Sequence, residues 1–552
     1  MTTIAERLVD GLVRHGARAV FGIPGDYALP LFAALERDGR LPVHCLAHEP
    51  ALGFAADGAA RSAGGLGVAA VTYGAGALNM VNAVAGAYAE RSPLVVVSGA
   101  PGQRDWAGPL ALHHQVKDAG SQLRIYREVT AAQAVLDDPA TAPLLIAATL
   151  RTAAEQSRPV YLEVPRDRVD APCGLLPPSP EAEPDGAAAG AAAQAVMALL
   201  RRARRPALMA GVEVRRYGLE DQVAQLARRL GVPVVTSFMG QGVLAGRDVP
   251  VAGTYLGRAG DPFVRELVEE SDGLLLLGVI LCDTNFALAA RPLDPARCAH
   301  ALGRTVAVGG ERHEGVSLAA LLAALEALPA PVPAPPPRRR PPAPPSPSVA
   351  ADAPLTTDGL AAALDRALAA YPGMELVSDV GDCLFAAAQM RPRPVMAPAF
   401  YAGMGFAVPA ALGAQAATGR RPLVLVGDGA FQMTGMELGA CAEAGWDPLV
   451  VVLNNGGWGM LKAIDPASRH VERAGWDHAA MAGALGGDGY RVATRRELDA
   501  ALALALQRRG RFQLIEVMLA PGSLSSTLAA FTAGLRAAPA AAIPAREVPV
   551  PA

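Results

Sequence analysis

The sequence predicts an α/β protein made of three doubly wound parallel-sheet domains. Two observations carry this expectation. Short apolar runs of strand length alternate with helical patterns along nearly the whole chain. The alternation is interrupted twice, by an Ala/Pro/Gly-rich passage over residues 171–193 and by a Pro-rich stretch over residues 329–348. A chain of 552 residues also exceeds what a single core organises, so about three domains are expected.

The first domain is placed at residues 1–172. Its helical patterns cover residues 5–15, 29–36 and 78–90, and its strand-like runs cover 19–22, 68–72 and 94–98. A central domain at 194–328 carries buried strands at 206–211, 232–236 and 274–279. Its pattern is that of a nucleotide-binding fold, but Met209-Ala210-Gly211-Val212-Glu213 stands where a Gly-rich phosphate loop would follow the first strand. A structural role is therefore expected for it, not flavin binding. Residues 329–353 read as a linker: eleven of the twenty residues from 329 to 348 are Pro, and Pro fixes its own torsion and donates no backbone hydrogen bond. The third domain, 354–536, has strands at 376–378, 423–426 and 449–453, and an Ala/Pro-rich tail at 537–552 is expected to be flexible.

Composition excludes several classes. Hydrophobic residues make up 51% and charged residues 18%, yet charges such as Glu90 and Arg91 interrupt every long apolar stretch, so no membrane span is expected. Residues 1–10 carry Glu6, Arg7 and Asp10 instead of an apolar secretory block, which points to the cytoplasm. A net charge of -3 over this length creates no field for nucleic acid. The six cysteines are scattered and form no CxxC pair, as expected of free, mostly buried thiols in a reducing compartment. Lys117 and Lys462 are the only lysines beside many arginines, a trait of genome composition.

The chemistry concentrates at strand ends. Gly427-Asp428-Gly429 closes one apolar run, and Asn454-Asn455 closes the next after twenty-four intervening residues. Ligands of open parallel sheets bind outside the carboxyl ends of the strands. Asp428 and the Asn455 side chain are hard oxygen donors suited to Mg²⁺, and the glycines let backbone N–H groups approach a phosphate. Taken singly, each fragment is equally a strand-to-helix turn.

Together, at this spacing, the two fragments resemble the diphosphate-binding motif of thiamine diphosphate-dependent enzymes. The resemblance implies thiamine diphosphate and Mg²⁺ as cofactors, with Asp428, Asn455 and the Gly457 carbonyl as metal ligands. It sets the diphosphate against Gly427, Asp428, Gly429 and Ala430 and near Gly381 and Asp382. A second fragment, Cys45-Leu46-Ala47-His48-Glu49-Pro50, holds a Glu that by itself suits a helix first turn. The resemblance implies that Glu49 binds the cofactor pyrimidine and drives the amino–imino exchange that deprotonates the thiazolium carbon, forming the ylid.

Further fragments resemble the pyruvate decarboxylase branch. Phe21-Gly22-Ile23-Pro24-Gly25-Asp26-Tyr27 supplies an aspartate at a turn, and His113-His114 supplies paired imidazoles that acetolactate synthase-like relatives lack. Alone, Asp26 is a turn former and the histidines a solvated loop. As a trio they suit non-oxidative decarboxylation, in which a carbon must be protonated and a hydroxyl deprotonated before an aldehyde leaves. Met404, in Ala402-Gly403-Met404-Gly405, matches the residue that props the cofactor in its bent shape, with the Ala402 carbonyl facing its amino group. One departure is plain. Leu461 stands where most pyruvate decarboxylases place a Glu, an exchange shared by one subgroup of bacterial phenylpyruvate and indolepyruvate decarboxylases. The resemblance therefore implies decarboxylation of an aromatic 2-keto acid, with Leu461, Thr72 and Trp458 lining the substrate pocket. The alternatives are a branched aliphatic 2-keto acid decarboxylase or a carboligase. It further implies a homodimer or a dimer of dimers, a homotetramer, in which the two halves of a site come from different subunits. No nucleic-acid or membrane partner is expected.

Overall fold

The computed structural model describes residues 2–178, 186–286, 288–289, 291–329 and 350–537. The Pro-rich stretch from residue 330 and the tail from residue 538 lie outside the described residues. Three sheets organise the chain, and the expected class holds with one correction.

The first sheet contains β1 (Val20–Gly22), β2 (Val43–Cys45), β3 (Gly67–Val71), β4 (Leu94–Ala100), β5 (Ala132–Val135) and β6 (Val160–Pro165), in the order β2-β1-β3-β4-β6-β5. Every pairing in it is parallel. β3, β4 and β6 are buried along their whole length, as strands covered by helices on both faces must be.

The central sheet contains β7 (Pro206–Ala210), β8 (Val234–Thr236), β9 (Val251–Thr254), β10 (Gly273–Leu277), β11 (Cys298–Leu302), β12 (Thr305–Val308) and β13 (Glu311–Glu314). Its order is β13-β12-β11-β10-β7-β8-β9. It is not wholly parallel: β11, β12 and β13 form an antiparallel meander at one edge. Two-residue connections leave no room for a crossover helix, and Gly303, Gly309 and Gly310 take positive φ in them. A second difference concerns the passage at 171–193. Its Ala-rich part belongs to the helix Gly186–Arg202, whose Ala189, Ala192, Val196 and Leu200 pack into the central core. Alanine is the strongest helix former, so an Ala-rich run beside Pro and Gly is not by itself a connection.

The third sheet contains β14 (Glu375–Ser378), β15 (Val395–Met396), β16 (Pro422–Gly427), β17 (Leu449–Asn454), β18 (Asp488–Val492) and β19 (Gln513–Met518). Its order is β15-β14-β16-β17-β19-β18, all parallel. Counted from β14 as its first strand, this is 2-1-3-4-6-5, the order of the first sheet. The two sheets repeat one topology, and one core joins them: Phe21, Ala55 and Val96 share a cluster with Phe406, Ala411 and Val450. At its centre the helices Glu49–Ala63 and Ala407–Thr418 pack backbone to backbone. A Cβ on Gly58 would overlap the Ala410 backbone, and one on Gly413 the Ala55 backbone.

Both sheets reverse direction between their first and third strands, since the chain leaves the first strand toward one edge and the third toward the other. That switch point opens a crevice at the carboxyl ends. In the first sheet it lies beside Asp26 and Thr72, and in the third beside Gly381 and Asp428.

Candidate active site

Asp428 and Asn455 meet because their strands are neighbours. β16 pairs with β17 with Gly427 opposite Leu453, so the residues following each strand leave the sheet side by side. Burial pushes the Asp428 carboxyl up, while the backbone N–H groups of Gly429, Gly456 and Gly457 aim at it and hold it down. The Asn455 side chain makes no hydrogen bond among the described residues. The Gly457 carbonyl accepts one, from Gly459 N–H at 3.0 Å, and keeps a second lone pair. A buried carboxylate, an uncommitted amide oxygen and a carbonyl at adjoining strand ends are a donor set that fits Mg²⁺. Around Gly381 and Gly427 there is open space where a Cβ would stand. Ala430 lies on the first turn of the helix Asp428–Thr434. The arrangement could hold a diphosphate bridged through a metal.

Two residues of the expected set make further contacts in the fold. Trp458, expected in the substrate pocket, sets its indole edge against Gly429 and leaves its buried Nε1 without a partner. It therefore joins the Gly427–Gly429 turn. The Asp382 carboxylate accepts the Ser525 N–H through both oxygens, at 3.1 and 2.9 Å. It ties its helix to the chain before Ser526–Ala537, so any contact with a diphosphate there falls to the backbone. Leu461 lies on the helix Gly459–Ile464 and is 45% exposed.

Ala402 takes a left-handed φ of 59°. Asp379, fully buried at the end of β14, explains how such a turn persists. Its oxygens accept Gly405 N–H at 3.2 Å and Ala407 N–H at 2.9 Å, fixing the turn that carries Ala402 and Met404. Burial raises the Asp379 carboxyl to about 6 against these bonds. Sequence reasoning missed Asp379, although an Asp directly after an apolar run was a signal.

In the first sheet, β1 ends in the turn that presents Asp26. Gly25 packs there against Thr72, whose buried Oγ1 has no partner. The His113 Nε2–H donates to Asp26 Oδ2 at 2.6 Å, and the Tyr27 hydroxyl lies 3.1 Å from His113 Nδ1. The Tyr27 ring stacks on His113 at 4.6 Å. His114 Nε2 is 4.0 Å from Asp26 Oδ1. One ligand-capable atom from each member of the trio falls within 4.8 Å of the others, at a solvent-reachable surface. The arrangement can accept and return a proton. Glu49 opens the helix Glu49–Ala63 and receives a hydrogen bond from Asn79 at 2.8 Å. Just before it, the Ala47 N–H donates to the buried Glu437 at 2.8 Å. Tyr27, Asn79 and Glu437 had no signal beyond ordinary polar residues in the sequence.

A buried group backs the turn at Asn454 and Asn455. Glu516 accepts from Asn454 Nδ2 at 2.7 Å and contacts His478 Nδ1 at 2.9 Å. Burial would raise the Glu516 carboxyl, but these bonds bring it down to about 2. Among the described residues, no hydrogen bond, ion pair or ring contact joins Asp26, His113, His114 or Glu49 to residues 427–461.

The thiols are free as expected but less buried than expected. Cys298, Cys383 and Cys441 are buried, Cys173 and Cys282 half-buried, and Cys45 exposed, all free. No helix among the described residues is long and apolar enough to cross a membrane.

Comparison with known proteins bears on the whole chain. The family described as thiamine pyrophosphate enzyme matches in three parts: its N-terminal TPP-binding domain at residues 2–125, its central domain at 193–334 and its C-terminal TPP-binding domain at 379–517. The chain is 52% identical over 542 residues to the indole-3-pyruvate decarboxylase of Azospirillum brasilense, covering 97% of this chain and 99% of that protein. It is 33% identical over 534 residues to the alpha-keto-acid decarboxylase of Mycolicibacterium paratuberculosis, covering 94% of each. With the alpha-keto-acid decarboxylase of Mycobacterium tuberculosis it shares 31% over 541 residues, again 94% of each.

Proposed function

The chain belongs to the thiamine pyrophosphate enzymes, and from that premise we propose that it decarboxylates an aromatic 2-keto acid, indolepyruvate or phenylpyruvate, to the aldehyde and carbon dioxide. The observation that carries the substrate class is the 52% identity, sustained over 97% of the chain, with an indole-3-pyruvate decarboxylase. Bound thiamine diphosphate supplies the electron sink that lets the carboxyl group leave as carbon dioxide.

The chain's own residues do the rest. Asp428, Asn455 and the Gly457 carbonyl hold Mg²⁺, supported by the adjoining ends of β16 and β17. The turn over Ala402 and Met404, fixed by Asp379, orients the cofactor's pyrimidine, and Glu49 exchanges the proton there. Asp26, His113 and His114 deliver a proton to carbon and take one from oxygen after carbon dioxide has left. Leu461 presents an apolar surface to the aromatic ring. The separation of the Glu49 and Asp26 set from the Asp428 set favours a site completed by a second copy of the chain, in a homodimer or dimer of dimers. Six free cysteines suit a reducing, cytoplasmic setting.

Turnover of indolepyruvate, phenylpyruvate, 2-ketoisocaproate and pyruvate tests the reading. Aldehyde and carbon dioxide from the two aromatic acids at much higher kcat/KM are expected. A preference for 2-ketoisocaproate, or ligation without aldehyde release, would overturn it. Glu49→Gln is expected to retain the cofactor yet exchange the thiazolium proton at least about a hundredfold more slowly. An unchanged exchange rate would remove Glu49 from its role.

A further inference from the structure

A buried polar chain runs through the first domain and ends at the backbone beneath His114. Glu163 and Tyr161 on β6, Ser98 on β4 and Gln122 on the helix Ser121–Arg127 are all buried. The Tyr161 hydroxyl donates to Glu163 Oε2 at 2.6 Å. Gln122 Nε2 donates to the Tyr161 oxygen at 2.6 Å and to Ser98 Oγ at 3.1 Å, and Gln122 Oε1 accepts the Gly74 N–H at 2.6 Å. None of these four side chains reaches the candidate site itself.

Gly74 is where the chain acts. It sits at φ 68° and ψ -104°, a conformation closed to residues with a Cβ, and a Cβ there would overlap the His114 carbonyl and the His114 Cβ. His114 is itself left-handed, at φ 66°. A non-glycine residue in that region is strained and persists only when its surroundings over-determine it. Besides the rings of Tyr27 and His113, the surroundings of His114 include Gly74, whose N–H is held by one amide oxygen. A buried amide that satisfies its oxygen and its nitrogen is costly to assemble and rigid once assembled.

We propose that Gln122 is a positioning residue for His114: by fixing the Gly74 N–H it holds the turn against which the His114 backbone rests, with Tyr161 and Glu163 fixing Gln122 in turn. This rests on the proton-transfer role given above to His114. Gln122 acts through His114 and touches no substrate.

The test is a double-mutant cycle in the full-length, cofactor-loaded enzyme with phenylpyruvate. Gln122→Met keeps volume and removes all three hydrogen bonds of the Gln122 side chain. It is expected to lower kcat about tenfold through misplacement of the proton donor, with KM within about twofold of wild type. Added to His114→Ala, it is expected to cost less than about twofold more, because residues acting through one another are not additive. Tyr161→Phe, which deletes one hydroxyl and keeps the core filled, carries the same cycle should Gln122→Met fail to fold, and a smaller fall in kcat is expected. Full additivity with His114→Ala, or a rise in KM at unchanged kcat, would overturn the proposal. An inactive wild type would instead overturn the functional reading, and the two failures are thus distinct.

Discussion

Leu461 lies on a short helix after the turn at Asn454 and Asn455 and exposes 45% of its surface. A carboxylate at that position would have to be desolvated beside an aromatic ring, whereas leucine costs nothing there. Burying about 60 Å² of ring against it is worth about 1.5 kcal/mol, or about tenfold in kcat/KM. Leu461→Glu is therefore expected to lower the ratio of kcat/KM for phenylpyruvate over pyruvate by about tenfold, with the thermal midpoint little changed. An unaltered ratio would show that the ring is recognised elsewhere. Asp428→Ala is expected to weaken retention of the cofactor through gel filtration, since two neutral oxygen donors hold Mg²⁺ poorly without a charged one.

At the scale of elements, the helices Glu49–Ala63 and Ala407–Thr418 depend on missing side chains where they touch. Gly58→Ala places a methyl group against the Ala410 backbone. Overpacking of this kind costs about 1–3 kcal/mol, to be read as a lower thermal midpoint. The strands carry a pH dependence of opposite sign at two carboxylates. Burial on β6 pushes Glu163 up to about 7, against the Tyr161 hydrogen bond, from an ordinary 4.5. Its folded form prefers the proton, so its contribution to stability is complete below pH 4.5 and is lost as the pH rises through 7. On β19, Glu516 at about 2 contributes above pH 4.5 and loses its contribution as the pH falls through 2. Glu163→Gln is accordingly expected to flatten the fall of the thermal midpoint between pH 4.5 and 7. A wild-type and variant difference that stays constant over that window would refute the assignment.

At the scale of the molecule, two sheets of one topology place the Asp26 set and the Asp428 set at two switch points, and among the described residues no hydrogen bond, ion pair or ring contact joins Asp26, His113, His114 or Glu49 to residues 427–461. If a second copy completes each site, Glu49→Gln and Asp428→Ala, each inactive alone, are expected to complement after dissociation and mixing. Random pairing makes half the dimers mixed, each with one intact site, so about a quarter of wild-type activity should return. Two variants that stay inactive when mixed, though shown to exchange subunits, would place the whole site in one chain. Chelation and dialysis are expected to abolish activity, and thiamine diphosphate with Mg²⁺ to restore it.

What the sequence by itself determined is what depends on local pattern. Buried parallel strands read as continuous apolar runs such as residues 423–426 and 449–453, and glycine, aspartate and asparagine at their ends mark where a ligand meets the backbone. The class of fold was legible on those grounds, whereas the Asp428 and Asn455 pair and the Asp26, His113 and His114 trio were singled out through the resemblance to thiamine diphosphate-dependent enzymes. The meander of the central sheet was legible too, in Gly309-Gly310, and went unrecognised. Only the tertiary structure decided the partners that lie far apart in the chain. Gln122 reaches Gly74 across 48 positions, Glu437 reaches Ala47 across 390, and Asp379 reaches Gly405 across 26. The same structure turned Trp458 toward Gly429 and engaged Asp382 with Ser525. A buried polar side chain has no periodicity of its own, because its identity is set by whichever donor or acceptor the packing leaves unpaired beside it.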